Sequence, residues 1–354
     1  MGSKEVVIIG GGIAGINVAI TLADAGFAVH VIERETQLGG HAVNFACKAT
    51  EKCNKCLVCL ADEDTLKAYQ HPKIKVWMGS KVVSFSGKPG DFELRISHTT
   101  GKESSFEELT LKAGAIVIAT GYTFFNAEEK KEYGYGKYKN VITAIDLERA
   151  FRVDGKIRRL TDGAIPKKIA FFQCVGSRDE SIGRGYCSKV CCPYALRLSK
   201  LIKSEIPDSN ITIFYMDIQP TGKDFSGLRK SCEEMGIKFA RNLPSKVYGY
   251  SDSGVLHVKC LDNETGEVVQ REFDLVVLSV GMSPRDDAKF LADLFGIDQD
   301  EYGFYKGRDY FSNLSNVPGV FLAGTCQGPK DIGESMVHGK AAVAEVTKMF
   351  ASFS

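Results

Sequence analysis

Directly after an apolar run, Val6 to Ile9, the chain reads Gly10-Gly11-Gly12-Ile13-Ala14-Gly15. Small residues at these spacings let a strand turn sharply, let its backbone approach a pyrophosphate, and let the next helix pack closely on the strand. An apolar-periodic stretch continues to Ala25, a second apolar strand follows at Ala28 to Ile32, and Glu33 lies eighteen residues beyond Gly15. The segment is therefore expected to be a βαβ unit. At the end of its second strand, Glu33 can accept hydrogen bonds from a ribose diol, while the helix N-terminus stabilises pyrophosphate charge. A lone glycine turn is weak evidence; strand, helix and acidic residue together predict dinucleotide binding.

Residues 47–60 are polar and cysteine-rich. Alternating strand-like runs between about 74 and 112 suggest an antiparallel meander inserted into the first domain, and the chain returns with Ala115 to Gly121. After a long connection rich in Tyr and Lys, Ile169 to Phe172 reads as a second apolar strand. A cysteine loop, a helix from about Pro193 to Ser204 and another strand, Ile211 to Tyr215, follow it. A second meander, about 238–273, closes with VVLSVG much as the first closes with IVIATG. The last part, Val320 to Thr325 and a long helix from about Asp331, has no sheet of its own and should rejoin the first domain. No short-period repeat or low-complexity tract interrupts this plan. The expected fold is α/β, with two Rossmann-like dinucleotide-binding domains carrying antiparallel meander insertions. The first is expected at 1–150 and 287–354, the second at 151–286.

A chain of 354 residues with 44% hydrophobic residues can bury the cores of two such domains. Its net charge of +1 gives no global field that would recruit nucleic acid or an anionic membrane. With no charged leader and no apolar stretch near the ~20 residues needed to cross a bilayer, a cytoplasmic location without a membrane span is expected. Eleven cysteines in such a chain argue for metal binding or redox chemistry over a disulfide scaffold.

Eight of the cysteines fall into two groups. Cys174, Cys187, Cys191 and Cys192 give C-x12-C-x3-C-C at the mouth of the second strand–loop–helix unit. Four thiolates are what a [4Fe–4S] cluster requires. Pro193 suits the first turn of the following helix, whose positive end would lower the cost of an anionic cluster. Zinc is the main rival, although its structural sites commonly use paired C-x2–4-C knuckles; the remaining alternative is that these are buried apolar thiols.

Ala119-Thr120-Gly121 and the distal FLAGTCQGPKDIGES segment resemble the two-dinucleotide-domain flavoproteins, thioredoxin-reductase-like in fold, over nearly the whole chain. That resemblance implies FAD in the first domain. It also implies that the Ala-Thr-Gly turn lies near the FAD, and that Gly324, Asp331 and Ile332 bring a helix N-terminus to the flavin pyrimidine ring. There the macrodipole would stabilise anionic reduced flavin. The cofactor-binding set implied is Gly10, Gly12, Ile13, Ala14, Gly15, Glu33, Arg34, Gly40, His41, Val82, Ala119, Thr120, Gly121, Gly324, Asp331 and Ile332. In pyridine-nucleotide reductases of this kind the second domain carries another glycine fingerprint; here FFQCVGSRDESIGRGYCSKVCCPYALRL stands in its place.

Cys47, Cys53, Cys56 and Cys59 form C-x5-C-x2-C-x2-C just after Gly39-Gly40-His41, where flavin disulfide reductases place a redox-active cysteine pair. They could hold a second cluster completed at a dimer or partner contact, form a dithiol relay beside the flavin, or be unliganded. Cys47 and Cys53 have five residues between them, where the disulfide reductases have four between their pair. His41 is either a flavin-proximal donor or a solvated loop histidine, and Lys223 either a cation near the flavin or an exposed lysine. Cys232, Cys260 and Cys326 have no evident thiol partner.

The segments EYGYGKYKNVITAIDLER, FFQCVGSRD, YCSKVCC, YMDIQPTGKDF and FLAGTCQGPKDI resemble the HdrA-like flavoproteins of heterodisulfide reductase and their relatives in sulfur metabolism. The resemblance implies FAD, a [4Fe–4S] cluster on Cys174, Cys187, Cys191 and Cys192, and partners that are HdrB- and HdrC-like iron–sulfur proteins of one complex. A homodimer is expected in isolation. The chain lacks the ferredoxin-like C-x2-C-x2-C-x3-C-P run of the methanogenic forms and is most similar to the short form of sulfur-oxidiser complexes. Three other readings stay open: a self-contained NAD(P)H-dependent disulfide reductase using the Cys47 group, a zinc scaffold with structural FAD, and a component of a quinone-linked complex.

Overall fold

The computed structural model describes residues 4–99, 106–219, 225–249, 254–309 and 312–353. Lys223 lies outside them. The chain forms two compact units, one of residues 1–43, 57–123 and 283–354, the other of 44–56 and 124–282.

The first unit is built on a five-stranded parallel sheet with the order Val320–Leu322, Ala115–Ile118, Glu5–Ile9, Ala28–Ile32, Ile74–Trp77. Parallel strands buried on both faces need near-continuous apolar runs. Val6 and Ile8 point to one face, packing with Ala14, Val18 and Leu22 of the helix Ile13–Asp24 and with Val343 and Val346 of the helix Ile332–Ala351. Val7 and Ile9 point to the other, against Phe92, Leu94 and Ile96 of the antiparallel sheet Ser80–Lys88, Asp91–Thr99, Phe106–Ala113 and against Leu291 of the helix Ala288–Phe295. Ile74–Trp77, expected to open the meander, is instead a parallel edge strand beside Val29–Ile32, and Trp77 Nε1 donates to His30 Nδ1 at 3.1 Å. The polar stretch near 60 forms a helix, Val58–Gln70, that buries Ala61 and Ala68.

The second unit repeats the plan with the parallel order Lys238–Ala240, Asn210–Phe214, Lys168–Val175, Leu275–Val280, Val141–Thr143. Ile169 and Phe171 face the helix Cys191–Glu205, while Ala170 and Phe172 face the antiparallel sheet Lys246–Gly249, Leu256–Leu261, Val268–Phe273. The expected boundary at 150/151 would cut the helix Ala144–Asp154. That helix follows a strand paired with Val276–Leu278 and opens with a capping box between Thr143 and Asp146, so 124–150 packs as part of the second unit. Residues 44–56 also belong to it. No helix among the described residues is long and apolar enough to cross a membrane.

Candidate functional site

In the first unit the glycine turn is shaped by steric need. Gly10 has φ +106° and a Cβ there would run into the Ala119 carbonyl; one on Gly15 would run into the carbonyl of Gly10. Gly12 differs: it caps the helix Ile13–Asp24 in an extended conformation, and a Cβ on it would meet nothing within 4 Å among the described residues. The space beside Gly12, at the N-terminus of this helix, is thus open, as a bound pyrophosphate would require. Glu33, 7% exposed, accepts from the Gly11 amide at 2.7 Å and from the Glu35 amide at 2.9 Å. Each carboxylate oxygen keeps a second lone pair for a diol. Arg34 pairs with Asp287 at 2.8 Å and Glu35 at 3.1 Å.

Toward the other end of the turn, Gly39 donates to the Gly11 carbonyl at 2.7 Å and brings Gly40, at φ +57°, beside Gly12. His41 donates through Nε2 to the Tyr122 carbonyl at 2.9 Å and its ring packs 4.7 Å from that of Tyr122, so it is a held, part-buried residue. Val82 is buried where the ladder of Ser80–Lys88 breaks register. Ala119 is in the core, the Thr120 hydroxyl is buried facing that of Tyr305, and Gly121 has φ +79°. Gly324, at φ +74°, lies against Ala14 and donates its amide to His338 Nδ1 at 2.9 Å. Burial, with Lys330 nearby, pushes His338 down to about 4, so it stays a neutral acceptor. Asp331 and Glu334 form a capping box on the helix Ile332–Ala351, leaving the amides of Ile332 and Gly333 without intrahelical partners. His338 and Tyr122 carry no motif that would single them out in the sequence. The open space before Gly12 fits a bound dinucleotide.

In the second unit the strand Lys168–Val175 breaks register between Phe172 and Val175, and Cys174 sits there at φ +58°. A non-glycine residue in this region is strained, and such strain clusters at functional sites. Beyond it, Arg178, also left-handed at φ +55°, donates its amide to the Tyr186 carbonyl at 2.9 Å and closes the loop that presents Cys187. Lys189, at φ +61°, donates its amide to Cys187 Sγ at 3.3 Å. Cys191 and Cys192 open the helix Cys191–Glu205, with Pro193 in its first turn. Cys174, Cys191 and Cys192 are buried and Cys187 half-buried. Hydrogen bonds from the Cys174 and Cys192 thiols hold Cys191 well below the usual thiol range, and the same contacts push those two upward. The backbone amide of Gln219 also points at Cys192. Thus Cys174, Cys191 and Cys192 lie together in one buried cluster at a helix N-terminus. Among the described residues no group of three or more His, Cys, Asp or Glu has ready metal-ligating geometry.

The sequence pattern of the pyridine nucleotide-disulphide oxidoreductases matches residues 4–345. The chain belongs to this family. Its fold is that of thioredoxin reductase: the T. acidophilum enzyme superposes with TM-score 0.63 at 20% identity, with 99% of this chain and 100% of that one covered, and the Lactococcus lactis enzyme with TM-score 0.64 at 20% identity, with 98% and 99% covered. Curated relatives include an A-type iron–sulfur subunit of CoB–CoM heterodisulfide reductase from Methanopyrus kandleri, 33% identical over 99% of this chain, and its counterpart from Methanocaldococcus jannaschii, 32% identical over 97%. This chain spans 65% and 64% of the length of those proteins. The family makes it an oxidoreductase, similar in sequence to A-type heterodisulfide reductase subunits, and the first-unit turn fits FAD.

In this pyridine nucleotide-disulphide oxidoreductase the other cysteine group is divided. Cys47 and Cys53 are exposed and Cys56 half-buried in the 44–56 segment of the second unit; Cys59 is exposed on the helix Val58–Gln70 of the first. Lys55, at φ +51°, donates its amide to Cys53 Sγ at 3.4 Å, the same turn that Lys189 makes at Cys187. The segment is anchored by Lys48, buried against Glu148 and lying 5.6 Å from the ring centroids of both Phe45 and Tyr194. Arg197 adds a bond to the Asn54 carbonyl at 2.8 Å. Cys232, Cys260 and Cys326 are buried, and burial pushes Cys232 up to about 12 and Cys326 up to about 11.

Proposed function

We propose that the chain is the FAD- and [4Fe–4S]-containing electron-transfer component of a heterodisulfide reductase-like complex in sulfur metabolism. The observation that carries this reading is the convergence of Cys174, Cys191 and Cys192, with Cys187 on its N–H···S turn, where a family member using nicotinamide nucleotides would need glycines. Bound FAD supplies two-electron chemistry and a bound cluster one-electron chemistry.

The chain's own residues divide the work accordingly. Amides at Ile13–Gly15 and the Glu33 carboxylate hold the dinucleotide, and the amides of Ile332 and Gly333 favour negative charge at the pyrimidine edge of the flavin. Burial of three of the four thiols keeps water from the sulfurs, while half-buried Cys187 gives the site its more open side. Sulfur chemistry proper belongs on this reading to cluster-bearing HdrB- and HdrC-like partners, and the chain works in the cytoplasm, as a homodimer when isolated.

A second reading, a self-contained disulfide reductase, is favoured by the exposure of Cys47 and Cys53. Anaerobic purification with iron, sulfide and flavin quantified separates the two. About four iron and four sulfide per chain are expected, lost in Cys187→Ser and Cys191→Ser variants. Zinc without sulfide would point to a scaffold, and rapid flavin bleaching by NAD(P)H alone would establish the second reading.

A further inference from the structure

Arg178 stands between two of the four thiols. It follows Cys174 by four residues, and its amide bonds the Tyr186 carbonyl, one residue before Cys187. Arg178 is held in the left-handed region at φ +55°, where a plain loop would use glycine. The guanidinium is gripped on two sides by the Asp217 carboxylate, with Nη2 3.2 Å from Oδ2 and Nη1 on Oδ1. Asp217 comes from the segment after the strand Asn210–Phe214 and is itself bonded by the Gln219 side chain, while the Gln219 amide faces Cys192. One short loop therefore both fixes the arginine and contacts a thiol. The cation of Arg178 thus sits on the loop that carries Cys174 and Cys187, and its counter-charge Asp217 lies two residues from Gln219.

We propose that the Arg178–Asp217 pair is a fixed dipole that sets the reduction potential of the four-thiol centre, Arg178 stabilising added negative charge and Asp217 positioning and attenuating it. This rests on the reading that the four cysteines hold an iron–sulfur cluster, whose potential follows local charge and hydrogen bonding. The bland alternative is a surface ion pair that only pins the loop, since the two side chains are 26% and 41% exposed. It differs in sign: a pin is broken equally by either substitution, whereas a dipole responds oppositely to removal of its two ends.

The test is an EPR-monitored titration of the anaerobically prepared full chain, in which dithionite supplies the one electron that the centre takes up, after iron and sulfide have been measured. Arg178→Gln shifts the reduction equilibrium about tenfold against reduction, about 59 mV downward for one electron. Asp217→Asn shifts it upward, and Arg178→Lys stays near wild type. Full cluster content with unchanged potentials, or with both neutral variants moving the same way, overturns the inference while leaving the cluster reading intact. If Arg178→Gln fails to hold the cluster, the sign of the Asp217→Asn shift decides. Wild-type protein that never contains sulfide overturns the cluster reading itself, and this inference with it.

Discussion

The Glu33 carboxylate reaches across the first turn to accept the Gly11 amide at 2.7 Å, so the acid that would bind a ribose also braces the loop that would bind the phosphates. Dinucleotide binding and turn geometry are thus coupled through one side chain. Glu33→Ala is expected to weaken FAD retention on the order of tenfold to a hundredfold, the range for losing charge-assisted hydrogen bonds. Flavin-to-protein ratio after gel filtration measures it, and an unchanged ratio would count against the cradle.

Gly12 and Gly15 predict different failures. A Cβ at Gly12 enters open space, so Gly12→Val should fold with a normal thermal transition yet lose flavin. At Gly15 a Cβ overlaps the Gly10 carbonyl, so Gly15→Val should fail to accumulate as folded protein. Soluble yield and circular dichroism distinguish the two.

The buried pair Lys48–Glu148 predicts a double-mutant result. Burial pushes the Glu148 carboxyl upward, opposed by Lys48 and by the Ala46 amide. Lys48→Met strands a buried carboxylate and should cost about 3–5 kcal/mol in urea unfolding. Adding Glu148→Leu should recover most of that loss; no recovery would mean that the pair is not what anchors the segment carrying Cys47 and Cys53.

His338 predicts a pH window. It stays neutral in the folded protein down to about 4, whereas the unfolded chain takes up that proton near 6.5. Between these values the unfolded state binds more protons, so stability falls as pH drops from about 6.5 to 4. His338→Gln should flatten that part of the profile of denaturation midpoint against pH.

The buried strands of both parallel sheets are legible in the sequence because a strand covered on two faces must be apolar throughout, as at Val6–Ile9 and Leu275–Val280. Ile74–Trp77 and Lys238–Ala240 read as parts of meanders because short edge strands mix charge with apolar residues, as antiparallel strands do. The helix Val58–Gln70, rich in Asp and Glu, is hidden beneath the polar composition around its cysteines. At the site, spacing alone groups Cys174 with Cys187, Cys191 and Cys192. Arg178 and Asp217 are 39 residues apart and meet only through the sheet, so no local pattern could announce them. The partner that holds His41, Tyr122, is 81 residues away and is illegible for the same reason.

Gly339 packs against the Ala14 carbonyl, and the strand Val320–Leu322 borders Ala115–Ile118. The layer beneath the glycine turn is therefore supplied by residues made more than three hundred positions later. During synthesis the first unit therefore cannot close until the helix Ile332–Ala351 has been made, whereas most of the second, 124–282, emerges as one uninterrupted stretch. The dinucleotide cradle is consequently completed from both ends of its unit, and a chain cut short before Ile332 is expected to retain no flavin.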